Sequence, residues 1–443
     1  MMRSLWSGVT GLKTHQLEMD VIGNNIANVN TTAYKGQATG FSDVLYQTVK
    51  NGTGAGNNRA TTNTSQVGLG ARVGSIYTSI STQGSAIGTG NVLDLMINGD
   101  SFFVAEVDGY NRFTRDGSLT IDEDGFLVTQ NNGYYIKGVQ NGEVTNAAPD
   151  RLQVINRRAI DWDGDGTNEN LDYVLGEATS EAYFKGNIDK EDPNLEEGKN
   201  LSISVFGSDG NSYTLKFQLT DAGDDEDNTY KLSLSAIYDK DNNEVKNGAD
   251  IDIDLVYDKH TGKLTSADGN TDGFVKLNFT GDAKNIGPIN VNFGHTTNYA
   301  GSSSTHSSSI YGYKGNEEGL NQGYARGTLT GISIDSNGTI HGTYSNGQTI
   351  VKGQLAVAEF NNAMGLEKIG DNMYAASLNS GEPIYQDVYR TGGSISSGVL
   401  EGSNVNLAKE FTDMITTQRG FQANSKVITT SDEMLQLLKG LKR

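Results

Sequence analysis

Asp161, Asp163 and Asp165 alternate in the run DWDGDGTNENLD, followed at once by Gly166, which is the spacing with which a calcium loop presents its first oxygen ligands. Thr167 would supply a carbonyl at the seventh position, and Glu169 or Asp172 would close the shell. Against an EF-hand, Asn168 stands where an apolar residue is usual, and Asp172 replaces the bidentate glutamate. The flanks also do not read as paired helices. Two readings therefore stand: a solvated acidic loop at a domain boundary, or a calcium loop of another kind that stiffens that boundary. Calcium there is the one cofactor the sequence offers. Catalytic chemistry finds no foothold. The five histidines (His15, His260, His295, His306 and His341) form no HExxH pair, and there is neither a GxSxG elbow nor a phosphate loop ending in GK[ST]. Carboxylate pairs could be picked almost anywhere among 54 acidic residues, so they carry no information. With no cysteine, thiolate nucleophiles, thiolate metal sites and disulfides are all excluded. No catalytic residue is nominated, and a non-enzymatic role is expected.

The more organised residues lie at the two ends. Leu5, Val9, Leu12, Gln16, Met19, Ile22 and Ile26 keep the alternating three and four spacing of a helix with one apolar stripe, as do Leu407, Phe411, Met414, Gln418, Phe421, Ile428 and Leu435. Each stripe has a central glutamine, a polar interruption of the kind that fixes register at a cost in stability. The middle of the chain has its own hydrophobic patterning, so the terminal stripes are free to pair with each other and with other copies. We expect them to form a self-assembly seam whose remaining faces are covered by neighbouring subunits.

Between the ends the composition is that of short strands and tight turns, with 56 glycines and 4 prolines. Residues 31–70 read as a loop-like connector. Strand runs such as RVGSIYTSI, LDLMING and SFFVAEV begin a β domain at 71–150, and LSISVFG, YTLKFQLT, YKLSLSAIY, IDIDLVY and FVKLNF fill an acidic insertion at 151–305. GSSSTHSSS at 301–309 reads as the return linker, after which 306–400 completes the first β domain. The expected fold class is α+β and multidomain. Long N- and C-terminal α-helices (1–30 with 401–443) form a coiled-coil-like inner domain, and the outer domains are mainly β. Net charge is −20, and residues 151–300 hold 28 Asp and Glu against 14 Lys and Arg, the wrong sign for a nucleic-acid binder. The N-terminal stretch is broken by polar residues throughout, so no cleavable secretory signal is read there, and no apolar run approaches membrane-span length.

The string MDVIGNNIANVNTTAYKG (Met19–Gly36) closely resembles the signature of the bacterial flagellar axial proteins, the family of rod, hook and hook-associated subunits. Thr82–Val128 resembles that family's shared β segment and Leu400–Leu435 its C-terminal helix, so about half the chain is covered, with both ends in order. The insertion at 151–305 and Gly327–Thr349 resemble the hook subunits, since rod subunits of the family are shorter. The resemblance implies a curved, flexible tube that acts as a universal joint between rod and filament. It also implies export through the flagellar type III apparatus without a cleaved signal, and an extracellular place in the flagellum. The implied neighbours are other copies, the distal rod protein, the hook cap, the hook-length control protein and the hook–filament junction protein. Ala33 departs from the family pattern, where glycine is expected before the aromatic–lysine pair, and Asn406 stands where aspartate is common. The alternatives from the sequence are a distal rod protein of the same family and a calcium-binding surface adhesin.

Overall fold

The computed structural model describes residues 2–54, 60–140, 148–160, 168–222, 228–246, 248, 250–300 and 306–440. It is mostly β, with a 26-residue helix at Met2–Ala27 and a 34-residue helix at Leu407–Gly440. The chain forms two compact units: Met1–Asn156 with Ile332–Gly342 and Ile350–Arg443, and Arg157–Gly331 with Thr343–Thr349.

In the first unit the segment read as a loop-like connector is instead built into two antiparallel ribbons. Gln37–Asp43 pairs with Ala71–Thr78, shifting register at Gly40/Phe41, and Tyr46–Lys50 pairs with Ser65–Gly68. The strand Ala71–Thr78 agrees with the run RVGSIYTSI, while the three strands within 37–68 escape sequence periodicity because none of their residues is buried and no apolar alternation marks an inner face. A two-stranded ribbon of this kind is held by its ladder, and alone it is marginal in water. Here it leans on the N-terminal helix. Gly70, at φ +119°, sits so close that a Cβ would lie 2.1 Å from Thr10 Oγ1.

The body of this unit is organised on the strand Phe102–Val107. Tyr110–Thr114 pairs along one edge through an Asp108–Gly109 turn with both residues at positive φ, and Tyr135–Val139 and Val357–Glu359 share the other edge. The run SFFVAEV is apolar without alternation because both faces are covered. Phe103 and Ala105 pack with Leu95, Leu119, Leu127 and Ile136, while Phe102 and Val104 pack with Phe113, Phe360 and Tyr374. At the rim, Glu106 receives Arg151 Nη2 at 2.6 Å and Lys137 Nζ at 3.2 Å. The Arg151 hydrogen bond, with help from Lys137, pulls its carboxyl down to about 2. A depressed carboxyl stabilises the fold above its unfolded value, and this contribution is lost as pH falls from about 4.5 towards 2. Glu106→Gln is therefore expected to flatten the acid loss of stability in that window. Urea melts at pH 6 and pH 3 check this, and equal pH dependence in both proteins would contradict it.

The second unit is a sandwich. One sheet has the order Phe274–Leu277, Ile289–Asn298, Glu181–Ile188, Tyr311–Lys314, and the other runs Lys199–Phe206, Ser212–Asp221, Asn228–Tyr238, Asp252–Tyr257, Leu264–Ala267. Side chains alternate in and out along each strand, and the inner faces meet at Phe184, Phe217 and Phe293. Phe184 stacks on Phe293 at 5.1 Å and meets Phe217 edge-on at 5.9 Å. This corrects the expected boundary at 305. Tyr311–Lys314 is a strand of this sandwich, and Ser308 donates its backbone N–H to buried Asp192 at 2.7 Å, so 306–331 belongs to this unit and not to the middle β domain. Of the tract read as a return linker, 301–305 lie outside the described residues, while Ser308 and Ser309 accept from the Asp189 and Asn187 N–H groups through their hydroxyls and so join the sheet.

Candidate self-assembly surface

The terminal helices run antiparallel in a constant register. Gly8 faces Ile428, Gly11 faces Asn424 and His15 faces Gly420, and Asn25 Nδ2 donates to Glu410 Oε2 at 3.1 Å. A Cβ on Gly11 would lie 2.5 Å from Asn424 Nδ2, and one on Gly420 would lie 2.7 Å from His15 Nε2. The helices approach closely because the facing positions are small or polar. Gly8, Thr14, Val21, Ile22 and Asn25 are the buried residues of the first helix, and Thr417 and Ser431 those of the second. The apolar stripe named from the sequence is therefore not the line of closest approach. Ile22 is buried, half-buried Ile428 sits in the contact opposite Gly8, and Leu5, Leu12, Met19, Ile26, Met414 and Phe421 are half-buried beside it. Val9, Gln16, Leu407, Phe411, Gln418 and Leu435 face solvent. Beyond that stripe, Met2, Trp6, Ile415, Leu437 and Leu438 are also exposed, Trp6 at 63%, with Phe411 at 51%. The signal for the inner face was present in the sequence as small residues at Gly8, Gly11, Thr14 and Thr417, Gly420, Ser431.

Where the two helices join the β body, three charged side chains are almost fully buried: Lys35 and Glu401 at 1% exposure and Arg115 at 2%. Lys35 Nζ donates to Glu401 Oε1 at 2.7 Å and to the Thr82 carbonyl at 2.8 Å. Gly84 N–H donates to the same carboxylate oxygen at 2.8 Å, and Arg115 Nη1 lies 3.9 Å from the other. Burial pushes both the Lys35 ammonium and the Arg115 guanidinium below their ordinary values, and Glu401 opposes that push. Arg115 also covers the Phe102 ring at 4.7 Å and donates to Gly99 O at 2.7 Å. One carboxylate thus ties the segment after the first helix, the loop before Ser85, the β body and the segment before the last helix.

Further bonds hold the same junction. Asn404 accepts from Gly36 N–H and donates to the Ser79 and Thr82 carbonyls, and Glu401 O accepts from Ala33 N–H at 2.8 Å. Ala33 has φ +54°, the left-handed region that a glycine would occupy without strain, which explains why glycine was expected there. Asn406 caps the last helix through Lys409 N–H, the role an aspartate would fill. Asn25 is buried, and its amide bonds both the N–H and the carbonyl of Gln37 at 2.9 and 2.8 Å, fixing the ribbon to the first helix. Gly84 leaves no room for a side chain, since a Cβ would lie 1.9 Å from the Gly402 carbonyl oxygen. Gly84→Ala is expected to destabilise the first unit by about 2–4 kcal/mol through overpacking and loss of the Glu401 bond, read as an earlier urea midpoint. An unchanged midpoint would contradict this.

Asp161, Asp163, Asp165 and Thr167 lie outside the described residues. Glu169 is exposed in a short strand pairing with Arg158–Ile160, and buried Asp172 accepts a hydrogen bond from Tyr344 at 2.9 Å. Burial and that bond raise the Tyr344 phenol. Among the described residues no three His, Asp or Glu side chains are grouped to hold a metal ion, and no helix is long and apolar enough to cross a membrane.

Family comparisons agree with these segments. Residues 5–35 match the family described as "Flagella basal body rod protein", 96–166 the "Flagellar hook protein FlgE/F/G D1 domain", and 396–441 the "Flagellar basal body rod FlgEFG protein C-terminal". The chain is 35% identical to the flagellar hook protein FlgE of Borreliella burgdorferi and 34% identical to that of Treponema pallidum, over the full length of both partners in each case. It is 27% identical, again over both full lengths, to the flagellar basal-body rod protein FlgG of Bacillus subtilis. With hook proteins the more similar relatives and all three family segments in order, the chain belongs to the flagellar hook protein FlgE family.

Proposed function

We propose that this chain is the structural subunit of the bacterial flagellar hook, and that it polymerises through its paired terminal helices into a curved, flexible tube between rod and filament. It acts as a joint, with no catalytic step. The observation that supports this reading is the division of labour on the helix pair. Small residues make the intrachain contact, and large apolar ones (Trp6, Val9, Phe411, Ile415) stay exposed. Folded subunits rarely leave such a surface uncovered unless a partner occupies it. The ribbon continues the pattern with exposed Phe41, Leu45, Tyr46 and Val49. The relevant partners are other copies along the tube, with the distal rod protein, hook cap, length-control protein and junction protein at its ends or during growth. The subunit is exported by the flagellar type III apparatus and works outside the cell body as part of the flagellum.

Electron microscopy of the purified chain under polymerising conditions, beside a chain trimmed to residues 71–400, tests this. Tubes from the full chain and monomers from the trimmed one are expected. Tubes from both would move the assembly determinant out of the helices, and monomers from both would remove self-assembly as an intrinsic property.

A further inference from the structure

Seven asparagines are followed directly by glycine: Asn51, Asn98, Asn132, Asn141, Asn247, Asn337 and Asn346. In such a pair the glycine nitrogen can attack the side-chain amide carbon of the asparagine, because the glycine has no side chain to shield it. Where the fold holds that N–H in a hydrogen bond, or holds the asparagine amide itself, the attack waits for local opening. Asn141 and Asn247 lie outside the described residues, and the other five divide into two classes.

Four are held. Gly133 N–H donates to Thr129 O at 2.9 Å, Gly338 N–H to Asp335 O at 3.1 Å and Gly347 N–H to Tyr344 O at 3.0 Å. Asn346 is fixed at its side chain as well, donating to Ala325 O and accepting from Gln348 N–H. Asn98 places its amide nitrogen on the Ser394 and Ser396 hydroxyls at 3.2 and 2.9 Å. Asn51 differs. It and Gly52 are exposed just past the strand Tyr46–Lys50, between Lys50, which pairs with Ser65, and Thr53, whose N–H donates to Thr62 O at 3.1 Å. Among the described residues neither the Gly52 N–H nor the Asn51 side chain has a hydrogen-bond partner.

We propose that Asn51 and Gly52 form a built-in deamidation site, which converts slowly to aspartate and isoaspartate without an enzyme. Base removes the Gly52 amide proton, the nitrogen bonds to Asn51 Cγ, and the side-chain nitrogen takes up a proton and leaves as ammonia, giving a succinimide ring. Water then opens the ring at either carbonyl. One water is consumed and one ammonia released. Both products add a negative charge beside Lys50, on a ribbon that also exposes Tyr46 and Val49. Isoaspartate in addition carries the side-chain methylene into the main chain, which disturbs the bridge between Thr53 and Thr62.

The test ages the unassembled full-length chain at mildly alkaline pH, beside the same chain unfolded in urea, and follows the amide-to-acid mass gain at each site by peptide mapping. An isoaspartyl methyltransferase assay on the peptide spanning Asn51 reads the second product. The unfolded chain supplies each site's rate without the fold. Asn51 is expected to keep that rate in the folded chain within about twofold, while Asn98, Asn132, Asn337 and Asn346 are each slowed about tenfold, the factor that one hydrogen bond can supply. Folding that slows Asn51 as much as the other four, or any of those four deamidating faster than Asn51 in the folded chain, would overturn the proposal.

Discussion

Glu401→Ala is expected to lower the stability of the helix-bearing unit by about 3–5 kcal/mol, the usual cost of removing one partner from a buried ion pair. Lys35 would keep only the Thr82 carbonyl, Arg115 would lose the only anion of the buried trio, and the Gly84 N–H would lose its acceptor. Two buried cations would then face each other with only the exposed Asp100 to offset them. Glu401→Gln keeps the shape and can still accept from Gly84, so it should fall between the two. Because the sandwich has its own core, the chain need not melt in one step, and the change should appear in the first transition while the second is unmoved. The terminal helices leave the body at this junction, so assembly should fail with it. A first transition unchanged within about 0.5 kcal/mol would show that the carboxylate does not tie these segments together.

The second large effect is on assembly without any effect on folding. Trp6→Ser combined with Phe411→Ser removes two exposed rings that lie outside the buried core clusters, so melting of the unassembled chain should stay within about 0.5 kcal/mol of the parent. If both rings are buried between copies in the tube, their loss costs roughly 1.5–3 kcal/mol each. The concentration needed for polymerisation should then rise by roughly a hundredfold or more. Sedimentation of polymer across a concentration series measures this. An unchanged critical concentration would mean that these rings face solvent in the tube as well. The contrast is diagnostic: Glu401→Ala acts on the fold and so on assembly, while the ring substitutions act on assembly alone.

Much of the fold could be read from the residues. The helices at Met2–Ala27 and Leu407–Gly440 follow from three and four spacing, and strands such as Phe102–Val107 and Ser212–Asp221 follow from apolar runs between turn residues. What escaped was whatever has no apolar signature. The strands within 37–68 lack an inner face, so period-two alternation never appears there, and of the two ribbons only Ala71–Thr78 was read as a strand. The strand YGYK at Tyr311–Lys314 is an edge strand behind a serine tract, and composition hid it. The line of closest approach is set by Gly8, Gly11 and Gly420 against Ile428, Asn424 and His15, so a reading keyed to large apolar side chains found mostly the neighbouring stripe. The junction was the least legible part. Lys35, Arg115 and Glu401 are far apart in sequence, and charged residues are rarely buried, so only the fold shows that they meet. Ala33 was the one clue, a residue where the backbone wants glycine.

On this reading the terminal helices carry surface reserved for other copies. Hydrogen exchange of the same full-length chain before and after polymerisation tests it most directly. Amides in 2–27 and 407–440 should become more strongly protected in tubes than in the unassembled chain, while the buried core strands of the sandwich change little. Helices already fully protected before assembly, or tubes in which they remain unprotected, would contradict it.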